Sequence, residues 1–124
     1  MTVIRYAEAP RFELPGVRFV GLASPSRGSA DLCTWRITVD AGLLSPQCHS
    51  LDRDEVFMVT AGEVRLTPDG PLVRAGDTAV APAGSPIRLE NPGDTPAEAF
   101  VAVPAGFTAV AEDGSPIGNP PWAR

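Results

Sequence analysis

Residues 46–63, PQCHSLDRDEVFMVTAGE, bring a thiol, an imidazole and a carboxylate close together, and His49 is the only histidine in the chain. An imidazole changes charge near neutral pH without help, and a carboxylate shut in an apolar setting is raised toward the same range. His49 and Glu55 could therefore take a proton from a bound organic molecule and return it at another atom. Isomerases, epimerases, cyclases and dehydratases need that chemistry. The alternative is a buried Glu–His hydrogen bond with a purely structural role. Cys48 and Cys33 read as reduced, small core residues, because no second histidine is free to activate a thiol.

Glycines and prolines stand at fixed offsets around these residues. Six residues separate Glu55 from Gly62, and RAGDTAVAPAGSPIRLEN carries Gly76, then five residues, Pro82, Gly84 and finally Asn91. Over roughly residues 33–104 the pattern resembles a small single-domain cupin, whose motifs run G-x5-H-x-H-x3-4-E-x6-G and G-x5-P-x-G-x2-H-x3-N. The resemblance implies a jelly-roll β-barrel, a site inside it that usually holds one metal ion, and frequent dimerisation. The ligand positions depart from that pattern. Ile87 stands where the second motif has histidine. Counting back from Glu55 with the three-residue gap puts His49 and Leu51 at the first motif's histidines, whereas counting forward from Gly42 puts Cys48 and Ser50 there. A β-bulge would absorb the one-residue difference. HSLDRDEVF matches the family's H-x-H-x3-E-V-F with a single loss, which favours His49 facing inward and leaves Cys48 as the alternative.

A transition-metal centre wants at least three inward N, O or S donors. His49 and Glu55 give two, and Cys48 is a third only if the chain bulges. The expectation is no cofactor, with a divalent metal on His49, Glu55 and Cys48 kept as the alternative. An organic ligand would take the ion's place, walled by Leu51, Phe57, Val59 and Ile87 and bordered by Cys48 and Trp35. Trp35 shares its face with Ile37 and Val39 in the alternating TWRITV, so it reads first as core.

Short strands must position these groups. Fourteen prolines and twelve glycines leave hardly any window for a helix of three turns. β-type runs cover residues 17–22, 33–39, 55–60, 63–67, 78–81, 87–90 and 97–103, joined by turn-like linkers such as DAG, TPDG and NPGDTP. The expected class is all-β, a cupin jelly-roll barrel of two sheets without long helices. The expected organisation is a single domain over 1–124, in which residues 105–124 form a loop-like tail. Trp122 suggests that this tail docks on the body; a mobile tail is the alternative. In EVFMVT both faces are largely apolar, which calls for a second sheet or a partner subunit and predicts a homodimer. Asp52, Arg53 and Asp54 read as a solvated turn at the barrel mouth, where Arg53 could meet an anionic ligand; Arg36 and Arg65 read as outward.

The 124 residues suffice for one buried core. Net charge is −5 and there is no lysine, which argues against nucleic acid or an anionic membrane as partner. No apolar run reaches spanning length, and Arg5, Glu8, Arg11 and Glu13 interrupt any signal-peptide core, so a soluble cytoplasmic protein is expected. The leading reading is a small-molecule-binding barrel that performs metal-free acid–base catalysis. A non-enzymatic ligand-binding or sensing module is the runner-up, and a metal-dependent cupin with atypical ligands is third.

Overall fold

A computed structural model describes residues 1–124. Its strands are β1 (Arg11–Leu14), β2 (Val17–Gly21), β3 (Leu32–Val39), β4 (His49–Leu51), β5 (Glu55–Ala61), β6 (Glu63–Val64), β7 (Val73–Arg74), β8 (Thr78–Ala81), β9 (Ala97–Pro104), β10 (Ala109–Ala111) and β11 (Pro116–Gly118). The only helical pieces are three turns of 3-10 helix. None is long and apolar enough to cross a membrane. The expected all-β jelly roll is present.

Alternation builds the large sheet, ordered β1-β2-β3-β9-β5-β8. Cys33, Trp35, Ile37 and Val39 all point to one face of β3 and are buried, as are Ala97, Ala99, Val101 and Val103 of β9. The two strands pair antiparallel with Trp35 opposite Val101. A three-stranded sheet, β11-β10-β4, and the β6-β7 hairpin complete the structure. The apolar inner faces merge into one core. Burying such side chains contributes about 1.5–3 kcal/mol apiece.

The motif's framework residues have physical work to do. Gly62 ends β5 at φ +70°, and a Cβ there would lie 2.7 Å from the carbonyl oxygen of Pro96, so no other residue fits without moving backbone. Asn91 is fully buried. Its amide donates to the carbonyls of Val39 (3.1 Å) and Thr95 (2.9 Å), and its oxygen accepts from the Gly93 N–H (3.0 Å).

Several segments differ from expectation: β1, β4 and β7 form where no strand was expected, and three further stretches also depart from it. The run expected over 63–67 pairs as a strand only at Glu63–Val64. Residues 87–90 form isolated bridges to Leu44, His49 and Arg65 rather than a strand, because Pro86 and Pro92 flank them without N–H donors. The tail, expected to be loop, holds β10 and β11. Its end packs on the large sheet. Trp122 stacks on Phe19 at 3.8 Å and 8°. Arg27 donates to the Trp122 carbonyl (2.7 Å), the Ser24 hydroxyl to that of Arg124 (2.7 Å) and the Cys33 thiol to that of Ala123 (3.3 Å).

No second sheet covers the outer face of β5. Val56 is half-buried there, while Met58 and Thr60 are exposed.

Candidate functional site

A cavity of about 490 Å³ opens between the large sheet and the small one. Its wall is mostly apolar, with His49, Glu55, Cys48, Gln47 and Ser45 as the polar side chains.

β4 delivers His49. The backbone of His49 exchanges two hydrogen bonds with Ile87, at 2.9 and 2.8 Å, so the two side chains share the inner face. On its other edge β4 pairs with β10 in unbroken register, His49 opposite Ala111 and Leu51 opposite Ala109. No bulge interrupts residues 49–51. Strand alternation then puts His49 and Leu51 in the cavity wall and leaves Ser50 out of it. Cys48 also borders the cavity, from the residue before the strand.

Glu55 enters as the first residue of β5, opposite Ala81. It is 4% exposed, and its Oε2 has no hydrogen-bond partner. Burial alone pushes its carboxyl up to about 7. Burial also lowers the His49 imidazole from its usual range, so the ring is neutral at neutral pH. No hydrogen bond or ion pair joins the two side chains, and burial is what moves each of them. The direct Glu–His bond weighed from the sequence is therefore absent, and any exchange between the two runs through what lies between them.

Leu51, Phe57, Ile87 and Trp35 line the same cavity. Val59 does not. It is buried in the hydrophobic core two residues along β5 from Phe57, and it is not among the residues that line the cavity. Expected as a wall residue, it is a core residue. The arginines stay outside as well. Arg36 pairs with Glu98 at 2.7 Å, Arg65 with Glu90 at 3.2 Å, and Arg53 with the neighbouring Asp52 at 3.5 Å. The Asp52–Asp54 turn is more than a solvated bend: Asp52 accepts from the N–H and the hydroxyl of Thr108 (2.8 and 2.9 Å), and Asp54 from the N–H of Ala83 (3.0 Å). Cys33 lies apart from Cys48, and both thiols are free.

Sequence reasoning missed Phe19, Phe107 and Trp122 as cavity residues. Each lies outside the motif residues, and nothing in local periodicity shows that a tail tryptophan returns to close a barrel. The indole N–H of Trp122 is buried and has no acceptor.

The side chains do not suit a transition metal. No three His, Cys, Asp or Glu residues come together, and Leu51 and Ile87 offer hydrocarbon where ligands would stand.

The Cupin domain family matches residues 35–103. No curated protein matches the chain. Among solved structures, a sugar phosphate isomerase from Silicibacter pomeroyi is 23% identical with a TM-score of 0.72, covering 90% of this chain and 82% of its own. A polyketide cyclase from Streptomyces resistomycificus is 16% identical with a TM-score of 0.73, covering 84% and 79%. Salicylate 1,2-dioxygenase from Pseudoaminobacter salicylatoxidans is 20% identical with a TM-score of 0.67; 83% of this chain aligns with 31% of that one. Identities this low carry the fold and not the activity.

Proposed function

Since the chain belongs to the cupin domain family, we propose that it uses the barrel for metal-free acid–base catalysis on a small organic molecule, with His49 as base and Glu55 as acid. One observation carries the reading: His49 and the unpartnered, buried Glu55 border a single, mostly apolar cavity. A neutral imidazole removes a proton from a bound molecule while the carboxylic acid gives its proton to an oxygen of the same molecule. The reverse transfers, at a different carbon, restore both groups and leave an isomer. Burial sets both groups for this work near pH 7, where a base or acid has the most effect. An isomerase and a cyclase among proteins of this fold are consistent with it. The free Cys33 and Cys48 suit a reducing compartment, and we place the protein in the cytoplasm.

The second reading is a ligand-binding or sensing module. The missing His49–Glu55 bond favours it, because a preassembled dyad would speak more directly for catalysis. Deuterium exchange separates the two. The protein is incubated in D2O with a panel of enolisable ketones, sugars and hydroxy acids, and loss of carbon-bound hydrogen is followed by proton NMR. Stereospecific exchange is expected for at least one compound, reduced about 10²–10⁴-fold by His49→Ala. Binding without exchange would establish the sensing module instead.

A further inference from the structure

The cavity offers a ligand no positive charge. Neither arginine nor lysine lines it. Arg36, Arg65 and Arg18 are held by Glu98, Glu90 and Asp40, and Arg27 by the carbonyls of Leu22 and Trp122. Phosphates and carboxylates taken out of water need charge-assisted donors, which guanidinium groups usually supply. Here an anion would meet mostly hydrocarbon, the side chain of Glu55 and the uncharged polar groups of His49, Cys48, Gln47 and Ser45, none of them a cationic donor.

The aromatic residues do not form a cage for a cation either. Such cages turn ring faces toward the ammonium group. Instead Phe19 and Trp122 are stacked face to face at 3.8 Å, and Trp35 meets Trp122 edge-on at 6.4 Å and 65°. The rings pack on one another as a wall.

Two of the lining residues hold a buried polar atom with no protein partner, Oε2 of Glu55 and Nε1 of Trp122. The indole N–H can only donate, and an un-ionised carboxyl donates through its hydroxyl. Both atoms are closed to solvent in this conformation, so a ligand meets them only after a shift of the side chains; what they would then take is a molecule that accepts hydrogen bonds and carries no charge.

We infer that this cavity selects an uncharged, largely apolar carbonyl compound, its oxygen atoms facing Glu55 and Trp122, and rejects sugar phosphates, nucleotides and other anions. The inference rests on the cavity and on the acid role given to Glu55 above. It adds the substrate class, and it adds Trp122, which the family's motifs do not contain, as a binding residue.

Four compounds with one ring system test it by isothermal titration calorimetry: 2-acetylnaphthalene, 2-ethylnaphthalene, 2-naphthoate and 2-naphthylmethylammonium, with glucose 6-phosphate alongside. The ketone is expected to bind tightest. Its advantage over the ethyl compound should be about 2–10-fold, the yield of an ordinary hydrogen bond, and should shrink in Trp122→Phe, which keeps the stack on Phe19 but lacks the N–H. Glu55→Leu should erase much of it, while Glu55→Gln, which keeps a donor, retains it; melting curves confirm that each variant folds. Tighter binding of the carboxylate, the sugar phosphate or the ammonium compound overturns the inference. So does an absence of ketone binding at millimolar concentration. Ketone selectivity without any hydrogen exchange would leave the ligand class standing and remove the acid–base reading; exchange confined to an anionic compound would do the reverse.

Discussion

Glu55 holds its proton at a cost to stability. In the folded chain its carboxyl titrates at about 7, against an ordinary 4.5 when unfolded. Between those values the folded state binds a proton that the unfolded state has released. Unfolding free energy therefore falls as pH rises through that window and stays lower above it. At about 1.4 kcal/mol per pKa unit the loss approaches roughly 3 kcal/mol. His49 acts in the opposite sense. Its imidazole is lowered from 6.5, so the unfolded chain takes up the proton first, and this contribution to stability is lost as pH drops below that value. Glu55→Gln removes the first effect and leaves the second. The difference between wild-type and variant unfolding free energies, from urea titrations at pH 4.5 and pH 8, should change by about 3 kcal/mol in favour of the variant. A difference that stays flat would mean that the carboxyl is not held dry. The place of His49 in the cavity wall was read from the match of HSLDRDEVF to the family's motif and not from alternation, since a three-residue strand shows too little of it. The exclusion of Val59 was not legible in the sequence, since a period of two says which face a residue takes but nothing of how far the cavity extends.

At the scale of elements, the hydrophobic alternation of β2, β3, β5, β8 and β9 was readable within a residue or so of each boundary. β10 and β11 were not, because three-residue strands among glycines and prolines carry too little pattern to stand out from a loop. The end of the tail has clear consequences for the wall. Trp122→Ala removes the ring stacked on Phe19 and opens the cavity side. Since the residue is half-buried, the cost belongs at the low end for such truncations, about 3 kcal/mol by denaturant unfolding. A loss below about 1 kcal/mol would show that the stack is not a stable wall. The outer face of β5 makes a second prediction. Met58 lies opposite Phe100, and Val56 lies between Ala102 and Val80. Met58, Phe100 and Val80 are 38%, 39% and 60% exposed, a contiguous apolar face that a second copy of the chain would cover. Light scattering at micromolar concentration is expected to give twice the chain mass for the wild type and the chain mass for Phe100→Asp. A wild type at the chain mass would remove the dimer.

For the whole molecule, the framework Gly62, Gly76, Pro82, Gly84 and Asn91 made the fold readable, because turn geometry and the buried amide of Asn91 leave few residue choices. The site was readable only in its motif half. Phe19, Phe107 and Trp122 arrive from β2 and from beyond β9, so the cavity's final shape depends on long-range closure that no local pattern reports. That closure bears on the metal question. A divalent ion here would lose its water shell among hydrocarbon, with His49 and Glu55 as the principal compensation. The Cys48 thiol does not join them in a cluster, and Leu51 and Ile87 occupy the positions where further donors would be needed. Desolvating an ion against so few ligands is unfavourable, and two donors do not satisfy the coordination that iron, manganese, nickel, zinc or copper prefers. Protein incubated with each of these ions and then dialysed should retain well under one ion per chain by elemental analysis. Glu55→Ala should leave that content unchanged. One ion held per chain through dialysis, and lost in Glu55→Ala, would establish a metal centre and with it a different chemistry for the barrel.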